Sequence, residues 1–145
     1  MIHMLRSAQG GFSVEGALMA AYYIALARQV PDNWQELMRP YIDEVEATMA
    51  RYGGFYLTWL RHRVEVVEGD FGPHLGPTIV EFPTFTQLRA WYDSPEYAPL
   101  KALRQHHMRF DVMLVDGLSD EEIAENLQQI GVAWTASHAD PAETH

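Results

Sequence analysis

The sequence predicts one domain of the α+β class with the element order βαββαβ. Two amphipathic segments with helical spacing each lie between short apolar runs. Turns rich in glycine and proline separate these segments from the apolar runs. The chain has 145 residues, which is enough for one domain with a hydrophobic core and too few for two ordinary domains.

The N-terminal part of the pattern predicts a strand followed by a helix. Residues 22–30 alternate with a period of two and are apolar on both faces, so we expect a strand that is covered on both sides. Residues 34–52 carry apolar side chains at helical spacing and acidic side chains opposite. Pro40 predicts a kink in this helix, because it lacks an amide hydrogen. Gly53-Gly54 ends the helix by permitting a positive φ.

The middle of the chain predicts a hairpin and a loop. Residues 55–60 and 63–68 are rich in aromatic and β-branched side chains and flank the short polar turn at Arg61 and His62. Residues 69–77 contain several glycines and prolines and are predicted as a loop.

The C-terminal part predicts a strand over residues 78–82, a two-part helix and a last strand over residues 110–115. Thr84 and Gln87 have the spacing of a capping box at the start of the helix. Ser94-Pro95 restarts the helix, because serine caps a helix and proline is tolerated in the first turn.

The predicted elements match a ferredoxin-like sandwich, in which both helices cover one face of a four-stranded sheet. The other face is apolar in every strand and needs a partner. We therefore expect a homodimer in which two sheets pack together.

The charge and composition restrict the classes of partner. A formal net charge of −10 opposes binding to nucleic acid or to anionic lipid, because both need a basic surface. The chain has no cysteine, which excludes disulfides and thiolate catalysis. No apolar run is long enough to cross a bilayer. The default expectation is a cytoplasmic protein that binds small molecules or itself.

Several motifs resemble one bacterial family, the domain of unknown function 1330. The residues that carry the resemblance are Val80-Glu81-Phe82-Pro83-Thr84-Phe85, Ala90-Trp91-Tyr92-Asp93-Ser94-Pro95-Glu96-Tyr97, Leu100, Arg104, Arg51-Tyr52-Gly53-Gly54 and Glu68-Gly69-Asp70. Members of this family look like ferredoxin-like dimeric α/β barrels, so the resemblance implies a barrel that two subunits close together.

The resemblance also suggests the domain boundaries. It places the barrel domain at residues 19–118, with residues 1–18 as a disordered leader or upstream extension. Ser119-Asp120-Glu121-Glu122 predicts the start of an additional helix over residues 119–136, which we expect to pack on the partner subunit with Trp134 as its anchor. Residues 137–145 are predicted to be a disordered tail.

Tyr97, Leu100, Arg104 and His107 share one helical face. A guanidinium on this face can bind a carboxylate or an enolate, and an imidazole can transfer protons near neutral pH. The alternative is structural: Arg104 pairs with a buried carboxylate, and His107 complements the helix dipole at the C-terminus. The functional hypothesis gives Arg104 the role of anion stabiliser, His107 that of base and Tyr97 that of orienting donor.

Glu81 is the second candidate base, because it lies inside the apolar strand over residues 78–82. Burial would raise the pKa of its carboxyl and suit it to proton abstraction. The alternatives are a salt bridge to Arg104 or a strand end that is open to water.

In folds of this kind the pocket lies between the helices and the sheet. We expect Tyr97, Trp91, Tyr23 and Trp59 to contact the substrate there, although the helical stripe that includes Trp91 is mainly core. No cofactor is expected. The seven histidines show no metal-ligand spacing, and a haem would need His107 inside the pocket.

The leading hypothesis is a homodimer that binds a small apolar or anionic molecule. Related barrels act without a cofactor on activated carbonyl, aromatic or polyketide-like compounds by oxygenation, cyclisation, isomerisation or dehydration, so an enzyme of that kind is one expectation. The alternative is a non-catalytic ligand-binding or interaction protein. A transcriptional sensor is disfavoured, because the sequence carries no DNA-binding extension.

Overall fold

The structure is a computed structural model, and it describes residues 19–60, 63–72 and 75–131. The described chain contains four strands and five helices. In chain order they are β1 (Ala21–Gln29), α1 (Trp34–Leu37), α2 (Arg39–Ala50), β2 (Phe55–Thr58), β3 (Thr78–Phe82), α3 (Phe85–Tyr92), α4 (Ala98–His107), β4 (Arg109–Asp116) and α5 (Asp120–Gln129).

The four strands form one antiparallel sheet in the order β2-β3-β1-β4. This is the mixed α+β class that the sequence predicts, with each helical connection divided into two helices. Within the described residues the sheet is open and does not close into a barrel. A barrel therefore requires a second subunit, and that part of the prediction stays a proposal.

The two faces of the sheet differ in burial. Ala21, Tyr23, Ala25 and Ala27 of β1 are buried, while the residues between them are partly exposed. The buried face packs against the helices, because the ring of Tyr23 contacts the Trp91 ring of α3 edge-on at 5.6 Å. We call the opposite face, which carries Tyr22, Ile24 and Leu26 of β1, the open face.

Proline and side-chain capping set the helix boundaries. The kink predicted at Pro40 is a full break, because α1 ends at Leu37 and Pro40 lies in the first turn of α2. Thr84 accepts a hydrogen bond from the Gln87 amide at 3.1 Å and starts α3. The Ser94 hydroxyl accepts from the Tyr97 amide at 3.2 Å in the turn before α4.

The turns that follow α2 and precede α3 contact each other. Gly53 has a φ of +83°, and a Cβ at this position would lie 2.8 Å from Pro83. Gln87 Nε2 donates to the Tyr52 carbonyl at 3.1 Å, and the Tyr52 hydroxyl donates to Glu96 at 3.2 Å. We call Tyr52, Gly53, Pro83, Gln87 and Glu96 the turn cluster. These side chains fix the end of α2 against the start of α3.

The predicted hairpin is wrong in its second strand. Residues 63–68 form no strand in the structure, because β2 pairs directly with β3. The segment instead lies over the open face, where Val64, Val66 and Phe71 line a cavity with Ile24 and Leu26. The polar turn at residues 61–62 lies outside the described residues.

The additional helix predicted after the sheet is present as α5. The Ser119 hydroxyl accepts from the Glu122 amide at 3.0 Å, and Glu122 accepts from the Ser119 amide at 2.9 Å, which completes the capping box. Trp134, the leader at residues 1–18 and the tail at residues 137–145 lie outside the described residues. Among the helices described, none has the length and hydrophobicity needed to span a bilayer.

Candidate functional site

Arg104 is the central residue of the candidate site. It lies on the buried face of α4 with Leu100, as the helical spacing predicts, and is only 4% exposed. Its Nε donates to the Tyr97 hydroxyl at 3.4 Å, and its guanidinium carbon lies 5.7 Å from the centre of the Phe110 ring. Its Nη2 is buried and has no hydrogen-bond partner within the described chain.

No carboxylate of the described residues forms an ion pair with Arg104. The structural alternative, in which Arg104 pairs with a buried carboxylate, is therefore wrong for this part of the chain. A buried guanidinium without a counterion is costly, because an arginine stays protonated in proteins and loses its hydration on burial. Such a group needs an explanation, and an anion bound in the neighbouring space would provide one.

Three tyrosines surround the guanidinium, and we call Tyr23, Tyr41 and Tyr97 the tyrosine cluster. They come from β1, α2 and the turn before α4. The hydroxyls of Tyr41 and Tyr97 are hydrogen-bonded at 2.7 Å, and their rings meet edge-on at 6.0 Å. The fold thus brings together side chains that are distant in sequence around one positive charge.

The site favours the protonated forms of its groups. Burial raises the pKa of Tyr23 and of Tyr41 well above the ordinary range of a phenol. Burial and the nearby Glu46 carboxylate raise the pKa of Tyr56 in the same direction. Burial acts to lower the pKa of Arg104, but the neighbouring phenols outweigh it and raise that pKa. The site therefore combines a permanent positive charge with neutral phenols.

A small cavity of about 60 Å³ adjoins Arg104. Its lining is mainly aromatic and apolar and includes residues from both helices and sheet. The lining residues are Tyr23, Ala25, Ala27, Trp34, Met38, Tyr41, Ile42, Met49, Tyr56, Trp59, Leu60, Leu75, Gly76, Thr78, Val80, Trp91, Arg104, Met108 and Phe110. The volume is well below the roughly 300–1,000 Å³ of pockets for drug-sized ligands. A ligand that fits the cavity as it stands is therefore small.

The structure brings together most of the residues predicted to contact a substrate. Tyr23, Trp59 and Trp91 line the cavity with Arg104. Tyr97 is not among the lining residues, but its hydroxyl contacts two of them, Arg104 and Tyr41.

His107 is not at this cavity. It is half-buried and lies in a separate depression with Gln29, Val30 and Pro31 at the end of β1. The reason is that α4 ends at His107 and the chain turns into β4, so the last helical turn extends past the cavity. His107 therefore cannot act on a ligand held at Arg104 in this arrangement of the subunit.

Glu81 is on the opposite face of the sheet. It pairs with Tyr22 of β1 and with Phe55 of β2, which belong to the open face, whereas its neighbour Val80 lines the cavity. The predicted alternative of a salt bridge to Arg104 is wrong, because the sheet separates the two side chains. The alternative of a strand end open to water is also wrong, because Glu81 is 3% exposed.

Sequence reasoning missed Tyr41 and Tyr56 as site residues. Tyr41 lies in the amphipathic segment predicted over residues 34–52; it packs against the core, and its hydroxyl reaches Tyr97. A phenol on an otherwise apolar helical face was the available signal, because a buried hydroxyl needs a polar partner. Tyr56 stacks on Trp59 with ring centres 5.2 Å apart, and nothing in the local sequence indicated that contact.

A second cavity of about 460 Å³ lies on the open face. Ile24, Leu26, Val64 and Phe71 give it an apolar lining, with Glu65 and Glu68 as its charged residues. None of its described lining residues has an unpartnered buried polar atom. We therefore assign the candidate site to the Arg104 cavity.

The fold and the site define a mixed α+β domain with a buried, solvent-shielded arginine between its helices and its antiparallel sheet. The chain belongs to the family described as Domain of unknown function (DUF1330), whose model matches residues 20–118. The resemblance seen in the sequence motifs is thereby confirmed.

Solved structures give the same fold. The chain is 15% identical to a protein of unknown function from Rhodopseudomonas palustris, RPA0582, with a TM-score of 0.54 over 77% of this chain and 93% of that chain. The methylated form of RPA0582 gives a TM-score of 0.53 at 15% identity, over 77% of this chain and 91% of that chain. Comparison with curated proteins gives no significant match. At this identity the likeness extends to the fold alone.

Proposed function

We propose that this protein is a homodimer, acting in the cytoplasm, that binds a small organic anion at Arg104. The observation that carries the proposal is Arg104, whose buried Nη2 has no partner in the described chain and whose side chain lines a cavity. A carboxylate or an enolate accepts hydrogen bonds from a guanidinium and neutralises its charge. The negative charge of the whole chain does not oppose this binding at short range, because no carboxylate of the described residues lines the cavity.

Binding is better supported than catalysis. Among the residues that the structure describes, those lining the cavity include no histidine, aspartate or glutamate, so they supply no ordinary general base. Its phenols have raised pKa values and hold their protons near neutral pH. A cofactor-independent oxygenation, cyclisation, isomerisation or dehydration would need a base from elsewhere, because His107 and Glu81 lie outside the cavity. The small volume also disfavours polycyclic ligands.

Replacing Arg104 by methionine tests the proposed site. We expect propionate to raise the melting temperature of the wild type and to leave that of Arg104→Met unchanged. In the absence of ligand, Arg104→Met should unfold with a free energy equal to the wild type or higher by up to about 4 kcal/mol, because an uncompensated buried charge is removed. Thermal and urea unfolding, each with and without propionate, measure both effects.

Arg89→Met is the matched control, because Arg89 is exposed and paired with Asp93 at 2.8 Å. It should keep the response to propionate and change stability by less than about 1 kcal/mol. A strongly destabilised Arg104→Met, together with a wild type that does not respond to any carboxylate, would show that Arg104 has a structural role only.

The homodimer is supported by an exposed apolar side chain on the open face, beyond the part that residues 63–71 overlie. Met113 of β4 is 55% exposed there and lies opposite Ile24 in the sheet. Met113→Glu is expected to turn a dimer into a monomer, because a charge in an apolar interface loses its hydration. Phe85→Glu, at a 36% exposed residue of the helical layer, should leave the dimer intact. Native mass spectrometry measures both, and a monomeric wild type would refute the dimer.

A further inference from the structure

We infer that the Arg104 cavity selects short carboxylates with a single negative charge and excludes dianions. The inference rests on the proposed anion-binding function and specifies its ligand class. It follows from three properties of the cavity: its charge count, its hydrogen-bonding groups and its volume.

The charge count limits the ligand to one negative charge. Arg104 is the one ionised side chain among the described residues that line the cavity. A monocarboxylate neutralises this charge. A dicarboxylate or a phosphate dianion would bring a second negative charge into a lining of aromatic and aliphatic groups, where the described residues offer no second cation to compensate for its lost hydration.

The hydrogen-bonding groups favour an ionised carboxylate over a neutral analogue. The unpartnered Nη2 of Arg104 is a donor, and a guanidinium has no acceptor. A carboxylate presents only acceptors to it, whereas the amide of the same shape turns an N–H group toward it in one of its two positions. The amide also leaves the buried positive charge without a counterion.

The cavity volume limits the length of the ligand. One water-sized group needs ~10–15 Å³ of cavity volume, so the cavity of about 60 Å³ accommodates roughly four to six such groups. Acetate, propionate and isobutyrate have this size. The apolar lining, with Met38, Met49 and Val80, suits an aliphatic body behind the carboxylate.

A matched ligand panel tests the inference on the intact protein. Propionate and isobutyrate are compared with malonate, succinate, inorganic phosphate and propionamide by isothermal titration calorimetry at constant ionic strength and at a mildly alkaline pH, at which phosphate is mainly the dianion. We expect the two monocarboxylates to bind at least about tenfold more tightly than each of the other four ligands. Arg104→Met should bind none of them.

A second variant tests the charge argument by gain of function. Trp59 is a half-buried residue of the lining, so Trp59→Arg adds a second cation, and Trp59→Leu is the uncharged control. We expect the ratio of malonate to propionate affinity to be about tenfold or more higher in Trp59→Arg than in Trp59→Leu, which loses the same indole ring without adding a cation.

The outcomes separate this inference from the proposed function. If malonate or phosphate binds the wild type as tightly as propionate, and Arg104→Met abolishes that binding, the charge selectivity is overturned and anion binding at Arg104 stands. If no anion of either charge binds the wild type, the proposed function itself is refuted. Tight propionamide binding would overturn the requirement for a carboxylate.

Discussion

Replacement of Trp91 by alanine is expected to lower the free energy of unfolding by about 3–5 kcal/mol. Trp91 is 1% exposed, and the centre of its ring lies 4.1 Å from the centre of the Tyr97 ring and 5.4 Å from that of the Phe82 ring. Its Nε1 donates to the Thr48 hydroxyl at 3.0 Å, so the substitution also removes a buried hydrogen bond. Because small domains are stable by only about 5–15 kcal/mol, this loss is a large part of the total.

Urea unfolding of Trp91→Ala beside Phe85→Ala measures the effect within one helix. Phe85 is in the first turn of α3 and is 36% exposed, so its replacement should cost no more than about 2 kcal/mol, less than that of Trp91. Trp91→Ala should also weaken propionate binding, because Trp91 lines the cavity and packs on Tyr97. Equal stabilities for the two variants would contradict the placement of Trp91 at the centre of the core.

Steep alkaline unfolding is the second large effect expected. Tyr23, Tyr41 and Tyr56 have raised pKa values in the folded chain, mainly because they are buried, whereas phenols of the unfolded chain titrate near pH 10. The stabilisation from their protonated forms is complete below pH 10. Above pH 10 the unfolded chain binds fewer protons than the folded chain, so stability falls as the pH rises.

Each buried phenol contributes a slope of about 1.4 kcal/mol per pH unit, and the three together give about 4 kcal/mol per unit. The tyrosinate absorbance that these three phenols contribute should therefore appear together with the loss of far-ultraviolet circular dichroism, above pH 10. Tyr41→Phe removes one of the three phenols and should reduce the slope by about one third. Ionisation of all tyrosines near pH 10 with the secondary structure intact would contradict the burial of these hydroxyls.

The fold was predictable because its signals are local. The period-two alternation located β1, the breaking residue Pro40 located the start of α2, and Thr84 and Ser119 located two helix starts. The second strand of the hairpin was wrong because residues 63–68 have the composition of a strand, while pairing of β2 with β3 is decided by long-range contacts. Composition alone does not distinguish these two outcomes.

The site was predictable only in part. Helical spacing correctly placed Tyr97 and Arg104 together, but it could not show that α4 carries His107 beyond the cavity. Strand alternation could have separated Glu81 from Arg104 once it was known which face the helices cover. Tyr41 reaches the site from 56 residues away in the sequence, and no local pattern contains that information.

The turn cluster has a consequence for the order of folding. Its two side-chain hydrogen bonds join residues that are 35 and 44 positions apart in the chain. Closing such long segments costs chain entropy before the contacts form and offset that cost. Non-local contacts of this kind therefore lower the folding rate. We expect these bonds to form only after β2 and β3 have paired, since that pairing brings Gly54 against Phe82 and the two turns within reach. Four residues that carry the family resemblance, Tyr52, Gly53, Pro83 and Glu96, would then reach their native contacts late in folding.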